Sequence, residues 1–375
     1  MKILLTGGGT GGHFYPLIAV AEELHTVAKE KRLINSELFF MSDTPYNKGI
    51  LFDNGIEFVK VPTGKYRRYF SILNFFDIFK TIYGVIYGFI QVFSIYPDVI
   101  FSKGGYASFP ALFAAKILGI PVIIHESDTF PGKVNLWAGK FAQKIALSYP
   151  EAESYFPKGK VAWTGNPLRK EILMPISKKA QEFFELEDSS PIILVLGGSQ
   201  GSEIINTAII DALPQLVNSY QILHQTGTKN IKEVRETAKV VLGNGKHIGR
   251  YKPLEYLNPI ALRIAAGEAS LVITRAGSTL FEIAVWGVPA IIVPIFSSNG
   301  DHQRKNAFAY ARTGAAVVIE ENNLTPEILL AQINTLMGDV LKREKMSAAA
   351  QVFGKHNAAR VIAEEIINIA LTHEQ

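Results

Sequence analysis

Paired glycines follow apolar runs at four places in this 375-residue chain: 7–9, 11–12, 104–105 and 197–198. Adjacent glycines let a backbone turn sharply and bring amides close to a ligand. A helix that follows aims unpaired N–H groups and a positive dipole end at an anion. One such loop reads equally as a tight strand-to-helix turn; three in one chain point to phosphate or diphosphate binding. His13 sits where a helix begins, directly after the first glycines. A neutral imidazole there can take a proton from a hydroxyl, because the helix dipole disfavours its charged form. A capping or phosphate-contacting role fits the spacing equally well. Residues 271–282, LVITRAGSTLFE, read as strand, turn and helix start. Gly277, Ser278 and Thr279 offer amides and hydroxyls to phosphate oxygens, and Glu282 could accept both hydroxyls of a ribose. The plainer alternative for Glu282 is an acid favoured by the helix dipole. Further on, Asp301-His302-Gln303 with Asn306 opens another helix, and Gln303 could bond a sugar hydroxyl.

Several function classes drop out. Gly7, Gly9 and Gly12 match the dinucleotide fingerprint and Asp43 follows a second strand. That acid stands 31 residues beyond Gly12, farther than the usual spacing of about 20. A dehydrogenase also gives no reason for a second glycine-rich opening at 197–201. No Gly-Lys-Ser/Thr is present, which excludes a P-loop NTPase, and no Asp-x-Asp or metal-spaced cluster occurs. Neither a metal nor a cofactor is expected, so helix ends and cations would have to stabilise a departing diphosphate. Cysteine is absent, which removes disulfides, zinc–thiolate sites and cysteine nucleophiles. A net charge of +4 without a basic stripe gives no case for nucleic acid. Met1–Thr6 reads as a short apolar run stopped by glycines, not as a signal region, so a cytoplasmic protein is expected.

The elements that must position these residues alternate short β-branched runs with amphipathic stretches, the pattern of an α/β protein with parallel sheets. Strands are expected at 2–6, 37–41, 56–60, 98–101, 120–124, 191–196, 220–224, 270–274, 289–293 and 315–319. Helix periodicity covers 14–30, 106–117, 201–217, 276–286 and 302–313. The strand–glycine–helix opening at 2–13 is echoed at 191–206, about 190 residues later, which predicts two similar nucleotide-fold halves. The expected division is 1–165 and 166–352, with the last helix, about 353–375, packing back on the first domain.

Residues 66–96 hold 11 of the 40 aromatics, where even spreading gives about three. The longest uncharged run in this region, 81–97, has 17 residues and is broken by glycines, short of a spanning helix of about 20. An interfacial patch of Tyr69, Phe70, Phe75 and Phe76, with Arg67, Arg68 and Lys80 for anionic headgroups, is expected. The exposed portion is placed at 66–80, and part of 81–96 in the core.

Thr6–His13, Gly104-Gly105-Tyr106-Ala107-Ser108, His125-Glu126, Gly165-Asn166-Pro167-Leu168-Arg169, Gly197–Gly201 and Arg275-Ala276-Gly277 run in order over nearly the whole chain. Together they resemble the MurG family of peptidoglycan N-acetylglucosaminyltransferases, within glycosyltransferase family 28. The resemblance implies a B-type glycosyltransferase fold, two Rossmann-like domains facing a central cleft. It implies metal-independent, inverting transfer of N-acetylglucosamine from UDP to the muramyl C4 hydroxyl of lipid I, forming lipid II. Carried over by motif, the donor contacts are Thr10, Gly11, Gly12, Asp128, Arg169, Ser199, Leu257, Gly277, Ser278, Thr279, Leu280, Phe281, Glu282 and Gln303. Gly9, Gly104, Gly105 and Tyr106 meet the acceptor diphosphate, and His13 is the candidate general base. Expected partners are UDP-N-acetylglucosamine, lipid I, an anionic membrane surface and other cell-wall synthesis proteins, with the protein peripheral at the cytoplasmic face of the membrane. The chain departs from the family pattern at Asp128, where the motif has Asn. It departs again at a 275–282 turn one residue shorter, and at a two-residue insertion around Gly267-Glu268. A UDP-sugar epimerase on the same fold and a nicotinamide-dependent dehydrogenase are the rival classes.

Overall fold

The computed structural model describes residues 1–8, 10–33, 36–64, 72–187, 189–198, 200–296 and 301–373, with the side chains of 72–79 and 373 left aside. Two compact units form: Met1–Arg169 together with His356–Gln375, and Lys170–Lys355. Each is built on one wholly parallel sheet. The first comprises β1 (Lys2–Thr6), β2 (Glu37–Ser42), β3 (Ile56–Lys60), β4 (Val99–Ser102), β5 (Val122–Glu126), β6 (Lys144–Leu147) and β7 (Val161–Trp163). Its strand order is β3-β2-β1-β4-β5-β6-β7. The second comprises β8 (Ile192–Leu196), β9 (Gln221–Gln225), β10 (Tyr251–Leu254), β11 (Ala269–Thr274), β12 (Ala290–Ile292) and β13 (Ala316–Val318), in the order β10-β9-β8-β11-β12-β13. The echo between the halves is therefore an echo of topology.

Alternation along β1 sends Ile3 and Leu5 to one face, among Phe14, Leu17, Leu24 and Phe40. Leu4 goes to the other, among Met41, Ile100 and Ile124. Both faces are covered, which is why these strands read as unbroken apolar runs. The C-terminal helix Ala358–His373 belongs to the first unit. It sets Ile362, Ala363, Ile366, Ile367 and Ala370 in the same cluster as helix Gly11–Glu30. Each buried isoleucine contributes about 1.5–3 kcal/mol of gross transfer energy. The half-exposed Arg360–Glu30 ion pair, 2.6 Å, is screened by solvent and adds little. The apolar face anchors this helix.

Three strands fall outside the sequence expectation, for physical reasons. β7 is an exposed three-residue edge, β10 is an edge strand carrying Pro253, and β6 is four residues long and begins on an exposed lysine. Helix Ile72–Ile95 carries apolar surface beyond the expected patch, most of which lies outside the described side chains. Gly84, Gly88 and Val92 form its buried stripe. A Cβ on Gly84 would lie 1.8 Å from the Pro62 carbonyl oxygen, and one on Gly88 2.7 Å from Pro110 Cβ. The glycines that interrupt the hydropathy are the packing face. Ile82, Tyr83, Ile86, Ile90 and Phe93 are left exposed at 53–61%, so the stretch expected to be partly core carries an apolar surface beside its buried stripe.

The topology singles out one place in each unit. Strand order reverses direction between β1 and β4 in the first sheet and between β8 and β11 in the second, and ligands of open α/β sheets bind outside the carboxyl ends of such strands.

Candidate active site

At the first switch point, the loop after β1 brings Gly7 and Gly8 to helix Gly11–Glu30, and the loop after β4 brings Lys103, Gly104 and Gly105 to Tyr106. The Gly8 carbonyl accepts the Thr10 amide at 2.8 Å and meets His13 Nδ1 at 2.7 Å. Because a carbonyl only accepts, Nδ1 carries the ring hydrogen and Nε2 is left as a bare acceptor in the neutral ring. Gly11 and Gly12 stand in the first turn, where an α-helix has no internal acceptor for their amides. Gly105 has φ +82°, and a Cβ there would press within 3.2 Å of His13 Cε1, so glycine is required on both counts.

Behind His13 lies a buried polar cluster. Lys103 Nζ donates to His125 Nδ1 at 2.6 Å and to Asn166 Oδ1 at 3.3 Å. Glu126 Oε1 accepts the amides of Ser127 and Asp128 at 2.8 and 3.0 Å, and its Oε2 accepts the Gly132 amide at 3.0 Å and Asn135 Nδ2 at 2.9 Å. Four donors on one carboxylate pin the loop that carries Asp128. Burial and the Asp128 carboxylate push the Glu126 carboxyl up, while the donors pull it back. Burial, then the Lys103 charge, lowers the His13 pKa below its usual value, with the Gly8 carbonyl and Asp128 opposing. The same two causes hold His125 well below its usual value. His13 is therefore neutral near pH 7.

Asp43, the acid that would read a dinucleotide ribose, instead accepts the Tyr106 hydroxyl at 2.8 Å. Burial and this contact push the Tyr106 hydroxyl up. Arg169 lays its guanidinium 4.2 Å from the ring centre of Tyr15.

At the second switch point, the loop after β8 and the turn after β11 face the carboxyl ends of their strands. Gln225, at the end of β9, ties this region together: its Nε2 donates to the Gly198 carbonyl at 3.1 Å and its Oε1 accepts the Leu257 amide at 2.9 Å. Arg275 donates to the Val293 carbonyl at 3.0 Å and to Glu321 at 2.8 Å, and Glu321 accepts the Phe296 amide at 2.8 Å. Burial pushes the Glu321 carboxyl up, but the Phe296 amide and Arg275 hold it below the usual range. Gln303 Oε1 accepts the Ile295 amide at 3.1 Å, bracing the same loop. Gly277 is exposed with open space where a Cβ would be, and Ser278, Thr279 and Glu282 are half-buried at the start of helix Thr279–Trp286. Among the described residues no group of three or more His, Cys, Asp or Glu could hold a metal ion.

The family model for the glycosyltransferase family 28 N-terminal domain matches residues 3–147, and that for the family 28 C-terminal domain matches residues 192–366. The chain belongs to glycosyltransferase family 28. A curated relative from Treponema pallidum, named UDP-N-acetylglucosamine--N-acetylmuramyl-(pentapeptide) pyrophosphoryl-undecaprenol N-acetylglucosamine transferase, is 32% identical over 371 residues. That match covers 97% of this chain and 94% of that protein. The crystal structure of Acinetobacter baumannii MurG superposes with a TM-score of 0.76 at 26% identity, covering 98% of this chain and 99% of that one. A UDP-N-acetylglucosamine 2-epimerase structure from Listeria monocytogenes, described as putative, gives a TM-score of 0.71 at 17% identity, covering 100% and 97%; it shares the fold. The B-type glycosyltransferase fold of family 28 is thus present.

The residues carried over by resemblance fall in both units. Thr10, Gly11, Gly12, His13, Gly104, Gly105, Tyr106, Asp128 and Arg169 gather at the first switch point. Leu257, Gly277, Ser278, Thr279, Glu282 and Gln303 lie at the carboxyl end of the second sheet. The Leu280 and Phe281 side chains are buried, Phe281 stacks on Phe353, and their amides return to the Gly277 and Ser278 carbonyls. Their side chains shape the turn from the core side. The Leu257 side chain is likewise buried. Gly9, Ser199, Arg67, Arg68, Tyr69 and Phe70 lie outside the described residues, as do the side chains of Phe75 and Phe76; Lys80 is exposed. Sequence reading missed Lys103, Asn135, Gln225 and Glu321. The only local signal was that Lys103 and Gln225 each sit at a strand's carboxyl end.

Proposed function

We propose that this chain transfers N-acetylglucosamine from its UDP donor to the muramyl C4 hydroxyl of a lipid-linked acceptor, forming lipid II with inversion and without a bound metal. The observation that carries the mechanism is His13. Its Nδ1–H is held by the Gly8 carbonyl at 2.7 Å, so a neutral ring keeps Nε2 bare at a helix start. Nε2 takes the proton of the C4 hydroxyl as that oxygen bonds to the anomeric carbon of the donor. The bond from that carbon to the diphosphate breaks, and UDP leaves. The first-turn amides of Gly11 and Gly12 and the Gly104–Gly105 loop suit phosphate oxygens in the first unit. Ser278, Thr279 and Glu282 suit the nucleotide in the second. Purified protein given UDP-N-acetylglucosamine and a lipid I analogue should release UDP only when the acceptor is present. Conversion of the donor sugar without acceptor would favour an epimerase.

Among the described residues no helix is long and apolar enough to cross a membrane. The exposed apolar face of helix Ile72–Ile95 is the membrane contact in this reading, with the exposed Lys80 on that helix and Lys116 on helix Phe109–Leu118 as cations for anionic headgroups. It would lie in the interface and keep the acceptor diphosphate at headgroup level. The triple substitution Ile82→Ser, Ile86→Ser and Phe93→Ser is expected to weaken binding to anionic vesicles about 10–100-fold, since each side chain gives up roughly 1 kcal/mol of partial insertion. Turnover of a short-chain, water-soluble acceptor should persist. Equal vesicle binding by the wild type and the triple variant would place the membrane contact elsewhere.

A further inference from the structure

We propose that Lys103 is a positioning residue of the transfer reaction: its buried ammonium, fixed between His125 and Asn166, sets the charge state of His13 from behind the Gly7–Gly8 turn. The inference rests on the reading of His13 as the base.

Lys103 is 2% exposed, yet it occupies the strand end that leads into the Gly104–Gly105 loop. Its Nζ is held by His125 Nδ1 at 2.6 Å and Asn166 Oδ1 at 3.3 Å. His125 Nε2 lies 3.0 Å from the Gly165 carbonyl, so Nε2 carries that ring's hydrogen and Nδ1 is the acceptor left for the ammonium. Ser148 Oγ stands 3.3 Å from the same Nε2. The lysine is thus held at its tip by groups from the β5 end and the 164–166 segment. At its base, a Cβ built on Gly7 would meet Lys103 Cβ at 3.2 Å and His13 Cβ at 3.7 Å. Lys103 and His13 thus both stand against Gly7, together with Leu17, whose Cδ1 would lie 3.0 Å from the same Cβ.

The groups facing His13 are Lys103 after β4, His125 on β5, Asp128 in the loop after β5 and the Gly8 carbonyl. Lys103 opposes an imidazolium there, whereas Asp128 favours it. Burial lowers the Lys103 pKa to about 7 even against the Glu126 and Asp128 carboxylates that it faces, so its ammonium holds on the acidic side of neutrality, where an imidazolium would otherwise form. Hydrogen bonds to His125 and Asn166 would need only a neutral donor, and burying an ammonium is costly. The charge itself therefore has a use: it keeps the base unprotonated until the acceptor hydroxyl supplies its proton.

Histidine-selective NMR titration reads His13 directly, with its signal assigned by its loss in His13→Gln. In Lys103→Met and Lys103→Gln the His13 midpoint is expected to move to higher pH, and in Lys103→Arg to stay near the wild-type value. The glutamine variant keeps a donor for His125 and Asn166, so it remains informative if the methionine variant does not fold. The acidic limb of kcat/KM should move with the midpoint, so activity lost at about pH 6 returns at about pH 8. A midpoint that moves while the limb stays put supports the control of His13 by Lys103 and removes His13 from the base role. An unchanged midpoint in the folded glutamine variant, with activity lost equally at every pH, overturns the proposal.

Discussion

His13→Ala should lower kcat by about 10²–10⁴-fold, the usual loss when a general base is removed, while the KM for the donor changes little. The expectation follows from where the proton must go. In the neutral ring Nδ1–H is committed to the Gly8 carbonyl, so Nε2 alone can accept. Burial and Lys103 lower the His13 pKa, so the folded protein holds the ring neutral through the neutral range. The sign of the pH dependence follows. Activity that needs neutral His13 is full above its folded pKa and falls as pH drops through it, below about 6.5, the ordinary histidine value. That acidic limb should flatten in His13→Ala. A kcat near wild type, or a limb that survives unchanged, would make His13 a phosphate contact and send the search for a base elsewhere.

How much of this was legible beforehand depended on distance along the chain. The glycine loops, His13 and the Arg275–Glu282 turn are each written within a dozen residues of a strand, and local patterns report them. The Lys103–His125 and Lys103–Asn166 contacts join residues 22 and 63 positions apart, and Arg275–Glu321 spans 46. Nothing in a window of ordinary length connects such residues; only the parallel run of the strands, which puts their carboxyl ends along one sheet edge, brings them together. Asp43 shows the converse failure. It follows β2 as a ribose-reading acid would, though at too long a spacing, and a hydroxyl from the loop after β4 has taken it. The aromatic-rich helix is a third case. Where nearly every residue is apolar, hydrophobic periodicity cannot choose a face. The usable signal was the four-residue spacing of Gly84, Gly88 and Val92, which lets helix Ile72–Ile95 approach Pro62 and Pro110 closely.

Glu282→Ala is expected to raise the donor KM by about 30–1,000-fold, because two charge-assisted hydrogen bonds to a ribose are together worth about 2–4 kcal/mol. Its neighbours Leu280, Phe281, Ile283 and Ala284 are committed to the core, whereas Glu282 is half-buried in the first turn of helix Thr279–Trp286. A carboxylate in that turn also has a purely structural value near the positive end of the helix dipole, about 0.3–1 kcal/mol. The two roles separate in measurement. Loss of the dipole partner alone would lower the melting temperature slightly and leave KM untouched. Loss of a ribose contact would raise KM with little change in melting. Vesicle binding should be unaffected in either case, because the proposed membrane helix lies in the other unit. Activity should also persist in EDTA if helix ends and cations stabilise the departing diphosphate. A large chelator-dependent loss would mean that a metal supplies that stabilisation, and an unchanged donor KM in Glu282→Ala would take this residue out of the nucleotide site.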